Sequence, residues 1–200
     1  MFYYANKLVR SHVSLCGVLQ RQENHNSAVE EIQAAIIVLQ SLGNVYPADG
    51  MADVIADTHH LLGTVLCWSS KYPTAFDQWH LALDIRQTLS AKDPTSTIML
   101  AKLFESHMAL GWAKLTQADI EGSIVEYKGA QAIVNLLVKH DNTRRDWQEM
   151  YEDAERTIGI LSELSVTGNL PGPYYGDNEV IDLLLSLDQQ QQAGSVSAKS

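Results

Sequence analysis

The sequence predicts an all-α protein assembled as a row of antiparallel helix pairs, and three observations lead there. An aliphatic residue followed by a small one recurs at Leu15-Cys16, Leu62-Gly63, Leu110-Gly111 and Ile158-Gly159, in steps of 47, 48 and 48 residues. Twelve residues after each of the first three small anchors stands another small residue (Ala28, Ala75, Ser123). Four further on comes a bulky one (Ile32, Trp79, Tyr127), and three beyond that an alanine (Ala35, Ala82, Ala130). Only five prolines interrupt the chain, and β-branched or aromatic runs are few. Alternation of small and large side chains is what two closely packed helices require, because the knobs of one must enter the holes of the other. A single pair cannot bury its apolar face alone, whereas a stack of pairs can. With 200 residues at 46% hydrophobic, the chain is long enough for one domain with a sizeable core.

The first pair is expected over about 4–22 and 26–42 of a unit spanning 4–46, with Asn24-His25-Asn26 as the polar turn and an Asn capping the second helix. Pro47 and Gly50 break the pattern. The second pair occupies about 51–69 and 73–90 within 51–92, with Pro73 in the first turn of its second helix, where a missing N–H costs nothing. Asp93-Pro94 marks the next boundary. The third pair runs over about 95–116 and 119–140, with Asp119 as a cap.

The fourth unit, 143–166, has only a first helix. Two prolines and three glycines in 168–176 stop the array at 166. Residues 179–187 then gather Val180, Ile181, Leu183, Leu184, Leu185 and Leu187, too apolar to be left in water. A short helix capping the end of the stack is expected within 167–188, the competing readings being insertion into a groove or docking on another chain. Residues 189–200 lack core-forming side chains and are expected to be disordered.

Charge and motif content narrow the function. A net charge of −10 argues against nucleic acid, whose partners concentrate Lys and Arg. The longest uninterrupted apolar run, 34–39, is far short of the ~20 residues that cross a bilayer. Lys7, Arg10 and His12 interrupt the amino-terminal apolar stretch, so no export signal is read there. Cys16 and Cys67 form no Cys-x-x-Cys pair, which suits a reduced, cytoplasmic protein.

No phosphate-binding glycine loop, dinucleotide fingerprint, nucleophile elbow or His-Glu-x-x-His is present, so a non-enzymatic protein without metal or cofactor is expected. His12, His59 and His107 share one position four residues before the anchor. Equivalent sites on neighbouring helices lie ~8–10 Å apart, too far to share one zinc ion. Asp57 with His60, and His80 with Asp84, are read as same-face hydrogen-bonding pairs.

The residues that recur also carry a family likeness. His107-x-x-Leu110-Gly111 with Ser123-x-x-x-Tyr127, His59-x-x-Leu62-Gly63 with Ala75-x-x-x-Trp79, and His12-x-x-Leu15-Cys16 with Ala28-x-x-x-Ile32 resemble the tetratricopeptide repeat. Histidine replaces the leading aromatic, the closing proline is missing, and the period exceeds the usual 34 by about 14 residues. The long period is similar to extended-helix repeats of bacterial multidomain signalling proteins. The resemblance implies a right-handed α-solenoid of about seven long helices, and a protein- or peptide-binding scaffold within a larger cytoplasmic signalling protein. An alternative is a peptide-responsive regulator whose superhelix changes pitch.

The resemblance also implies that the first helix of each pair lines a concave groove. Its candidate residues are His60, Thr64 and Trp68 from the second unit, Met108, Trp112 and Thr116 from the third and Arg156 from the fourth, with Asp57, Glu105 and Asp153 in register as an acidic rim. That groove would suit an amphipathic segment with basic residues. Anionic carboxyl-terminal tails are disfavoured, because His60, Met108 and Trp112 stand where basic and polar groups would be needed.

Overall fold

A computed structural model describes residues 2–43 and 51–167. Every element in it is an α-helix: α1 (Phe2–Arg21), α2 (His25–Gly43), α3 (Ala52–Trp68), α4 (Tyr72–Lys92), α5 (Thr97–Thr116), α6 (Ile120–His140) and α7 (Arg145–Thr167). The Pro47 break, the expected capping helix and the expected disordered tail lie outside the described residues. The chain divides into two compact units, Met1–Leu110 and Gly111–Ser200, with α5 running through the division. The described residues thus hold the expected seven long helices, and some helix ends differ from the expected ones by a few residues. α1 begins at Phe2, and α7 starts at Arg145 and continues to Thr167.

In the first unit, α1 and α2 form one hairpin and α3 and α4 another, with α3 packed against α2. Val9, Ala35, Leu39 and Met51 make a buried cluster that joins α1 and α2 to the start of α3. The expected small-over-large packing is present. A β-carbon at Gly63 would lie 2.6 Å from Trp79 Cδ1, so the indole occupies the volume that a side chain would need. Cys16 and Ile32 fill the same two positions in the first hairpin and are both fully buried. A slightly larger anchor thus faces a smaller knob.

In the second unit the same solution recurs. A β-carbon at Gly111 would come 3.0 Å from Tyr127, and Ser123 Oγ donates to Gly111 O at 2.8 Å. Ala130, Val134 and Leu137 continue the buried face of α6, and Trp147, Ala154, Thr157, Ile160 and Leu161 that of α7. Ser165 near the end of α7 donates to Glu121 at the start of α6, so these two helices run antiparallel.

The turns inside the hairpins are near-copies of one another. Asn24 N donates to Leu19 O, Lys71 N to Leu66 O and Asp119 N to Lys114 O, each at 2.9 Å. The residue before each donor, Glu23, Ser70 or Ala118, has a φ of 57°, 57° or 59°. This is the left-handed helix ending that uses the last free carbonyls, and it is normally built on glycine. At two of the three turns the side chain of the next residue caps the following helix. Asp119 accepts from Gly122 N at 2.9 Å and Asn24 from Ser27 N at 3.3 Å, while Lys71 makes no side-chain cap. Two junctions after the hairpins share a second device, in which Asp93 and Asp141 each accept from the backbone N–H and hydroxyl of the threonine two residues on.

Two of the three registered histidines also acquire a physical reason. His12 Nδ1 lies 2.7 Å from Glu31 Oε2, and His59 Nδ1 lies 2.8 Å from Gln78 Oε1, each partner 19 residues downstream. In these two hairpins histidine ties the first helix to the second by a polar bond.

Candidate functional site

Asp57, His60, Thr64 and Trp68 are spaced 3, 4 and 4 residues apart on α3, which puts them along one side of that helix. Their surroundings differ sharply from one end to the other. At the amino-terminal end the feature that organises the site is Arg86 of α4, only 2% exposed. Its guanidinium donates to Asp57 Oδ1 at 3.0 Å, to Lys102 O at 2.7 Å and to Ser106 Oγ at 2.7 Å. Glu105 Oε2 stands 3.9 Å away, and His60 Nδ1 lies 3.5 Å from Nη1. Lys102 Nζ in turn bonds Asp53 at 2.6 Å and Asp57 at 2.7 Å. Helices α3, α4 and α5 are thereby tied together by one polar network.

The network sets the ionisation of its members. Burial pushes the His60 pKa down to about 4, with help from the Arg86 charge and against the pull of Asp57. His60 is therefore neutral at neutral pH, and because its Nδ1 faces a donor, its proton belongs on Nε2. Burial works against the Lys102 ammonium, but hydrogen bonds to Asp53 and Asp57 outweigh it and hold its pKa above the ordinary lysine value.

Asp57 and Glu105, expected as part of an acidic rim, face Arg86 at 3.0 and 3.9 Å while their side chains stay about half exposed. Three carboxylates (Asp53, Asp57, Glu105) face two cations (Arg86, Lys102), leaving the cluster with one net negative charge. The signal for Arg86 is present in the sequence. It stands 23 residues after its anchor, where the other two hairpins carry buried Leu39 and Val134. An arginine in an apolar register announces a buried polar site.

At the other end of the stripe, Trp68 is 53% exposed. Its ring lies 6.3 Å from that of His25, beside an open notch of about 330 Å³ lined by Glu23–Asn26 and Trp68–Ser70. Thr64 Oγ1 donates back to His60 O at 3.1 Å, and Met108 of α5 is half-buried. In the second unit Trp112 and Thr116 are half-buried, with Thr116 Oγ1 donating to Ala113 O. Asp153 and Arg156 pair with each other at 3.1 Å on the exposed side of α7. Thus Asp57, His60 and Glu105 converge on Arg86. Trp68 belongs to the notch at the turn, and Asp153 is neutralised locally.

His80 stacks edge-on to Phe76 at 4.4 Å. Burial pushes the thiols of Cys16 and Cys67 up to about 11, with Glu31 adding to the effect at Cys16. No group of three or more His, Cys, Asp or Glu residues that could hold a metal occurs among the described residues, and no helix there is long and apolar enough to cross a membrane. No protein-family model matches the chain, and no curated protein matches it.

Proposed function

We propose that the chain is a non-enzymatic binding scaffold, a tetratricopeptide-like right-handed solenoid whose first helices receive a protein segment. The observation that carries this reading is Trp68, an indole half in water on the side of α3 that also bears His60 and Thr64. The neighbouring hairpin turn leaves an open notch beside it. Indoles are among the side chains that most often anchor protein interfaces, because one ring buries a large area at little conformational cost. The ligand that fits is an amphipathic segment that lays an apolar side chain on Trp68 and directs one basic residue towards the Asp57–Glu105 cluster. Because Arg86 and Lys102 already hold those carboxylates, a single ligand cation matches the leftover charge, and a polybasic stretch would gain little more.

The test is co-precipitation with the intact chain beside Trp68→Ala and Trp112→Ala, with circular dichroism as the folding control. Loss of a bound protein with Trp68→Ala, amounting to roughly 2 kcal/mol or a thirtyfold weaker Kd, is the expected result. Folded variants that retain every partner at unchanged affinity would remove the proposed binding surface.

A further inference from the structure

The first helix has an apolar stripe on its outer side. Leu8, Leu15 and Val18 are 46%, 44% and 40% exposed. They stand eight and one residues before the anchor Cys16 and two after it. The same three positions in α3 hold Ile55, Leu62 and Val65, and in α5 Leu103, Leu110 and Ala113. There the side chains are buried or nearly so, and Ile55 packs on the cluster formed by Val9, Ala35 and Leu39 of the preceding hairpin. The stripe on α1 is therefore a stacking surface of the kind that α3 uses against α2, continued to a helix with nothing before it among the described residues.

Charge indicates what covers it. In a chain of net charge −10, α1 bears Lys7, Arg10 and Arg21 and no acidic residue. Residues 177–188 bear Asp177, Glu179, Asp182 and Asp188 and no basic residue, around Val180, Leu184 and Leu187 at helical spacing. Helix α7, the nearest element in sequence to that segment, has six acids (Asp146, Glu149, Glu152, Asp153, Glu155, Glu163) against Arg145 and Arg156. An acidic apolar segment is repelled by α7 and attracted by α1.

We propose that residues 177–188 of a second copy of this chain dock on the Leu8–Leu15–Val18 stripe of α1. The contact joins two different surfaces, so each added copy leaves one of each free and assembly proceeds head to tail.

Sedimentation velocity of the full-length protein over a concentration series tests this. The intact chain should grow with concentration and shrink as salt screens the charges. Leu15→Asp and Leu184→Asp should each weaken self-association at least about tenfold. Mixing the two variants should restore a single dimer and nothing larger, because one carries an intact stripe and the other an intact tail. Arg10→Glu repeats the test through charge alone, should Leu15→Asp disturb the helix. A protein that stays monomeric throughout overturns the proposal. So does assembly indifferent to all three substitutions. A monomer in which Leu184→Asp raises hydrogen exchange in α1 would assign the stripe to the same chain's tail and equally overturn docking between copies.

Discussion

Gly63 lies so close under Trp79 that a β-carbon there would sit 2.6 Å from the indole Cδ1 and Nε1. The indole cannot swing away freely, because it is 4% exposed and its Nε1 donates to His60 O at 3.2 Å. Glycine inside a helix forfeits about 0.5–1 kcal/mol relative to alanine, so Gly63→Ala would stabilise an open site. Here the clash outweighs that gain, and Gly63→Ala should lose about 1–3 kcal/mol in urea unfolding. The double change Gly63→Cys with Trp79→Ile copies the Cys16–Ile32 arrangement of the first hairpin. It should cost less than the two single changes added together.

Arg86 leads to a less intuitive expectation. A buried cation that loses its counterion is stranded, whereas the half-exposed Asp57 and Glu105 can turn to water if the cation goes, and Ser106 keeps its bond to Lys102 O. Arg86→Leu, which installs the side chain that α2 has at Leu39, should stay within about 1–2 kcal/mol of the parent. Asp57→Ala leaves the guanidinium buried with Glu105 at 3.9 Å as its nearest carboxylate, and should cost more, about 2–3 kcal/mol. Chemical denaturation of both variants under the same buffer decides it. The reverse order would mean that Arg86 is held by packing of its alkyl chain instead of by charge.

The pH dependence follows from His60. Its pKa is about 4 in the folded protein and near 6.5 when unfolded, so between these values the unfolded chain binds the extra proton. Stability from this group is complete above about pH 6.5 and is lost as pH falls towards 4, with a ceiling of roughly 3 kcal/mol. Thermal melts of the parent should decline through that window, and His60→Asn should decline less steeply there.

The hairpin turns offer a gain. Ser70 and Ala118 hold left-handed backbone that costs a residue with a β-carbon about 1 kcal/mol, so Ser70→Gly and Ala118→Gly should each stabilise by up to that amount. Lys71→Asp adds the cap that Asp119 supplies to α6 and should contribute a further ~1 kcal/mol. Melting temperatures of the single and combined variants measure this directly.

Much of the helical plan was legible because it is steric. Gly63 facing Trp79 and Gly111 facing Tyr127 follow from side-chain volume, which a period of 48 residues displays openly. Polar partnerships were less visible. Arg86 is 29 residues from Asp57, and only folding back of α4 along α3 brings them to 3.0 Å. Read by register alone, Asp57 and Glu105 form an acidic edge; read in space, they are counterions. The left-handed turns were hidden for another reason, since the usual glycine is replaced by Glu23, Ser70 and Ala118. Trp68 stood among the groove candidates by register alone; its exposure and its companionship with His25 depend on two turns that lie 47 residues apart.

The arginine in an otherwise apolar position also fixes the order of the hairpins. Where α2 meets α3, Leu39 enters a greasy seam with Val9, Ala35 and Met51. Where α4 meets α5, Arg86 needs the Ser106 hydroxyl and the Lys102 carbonyl waiting opposite. Swapping the first two modules in the gene would press a guanidinium against aliphatic chains and leave a hydroxyl facing leucine. Look-alike units are thus not interchangeable bricks, and a shuffled chain should fold poorly even though every hairpin in it is native.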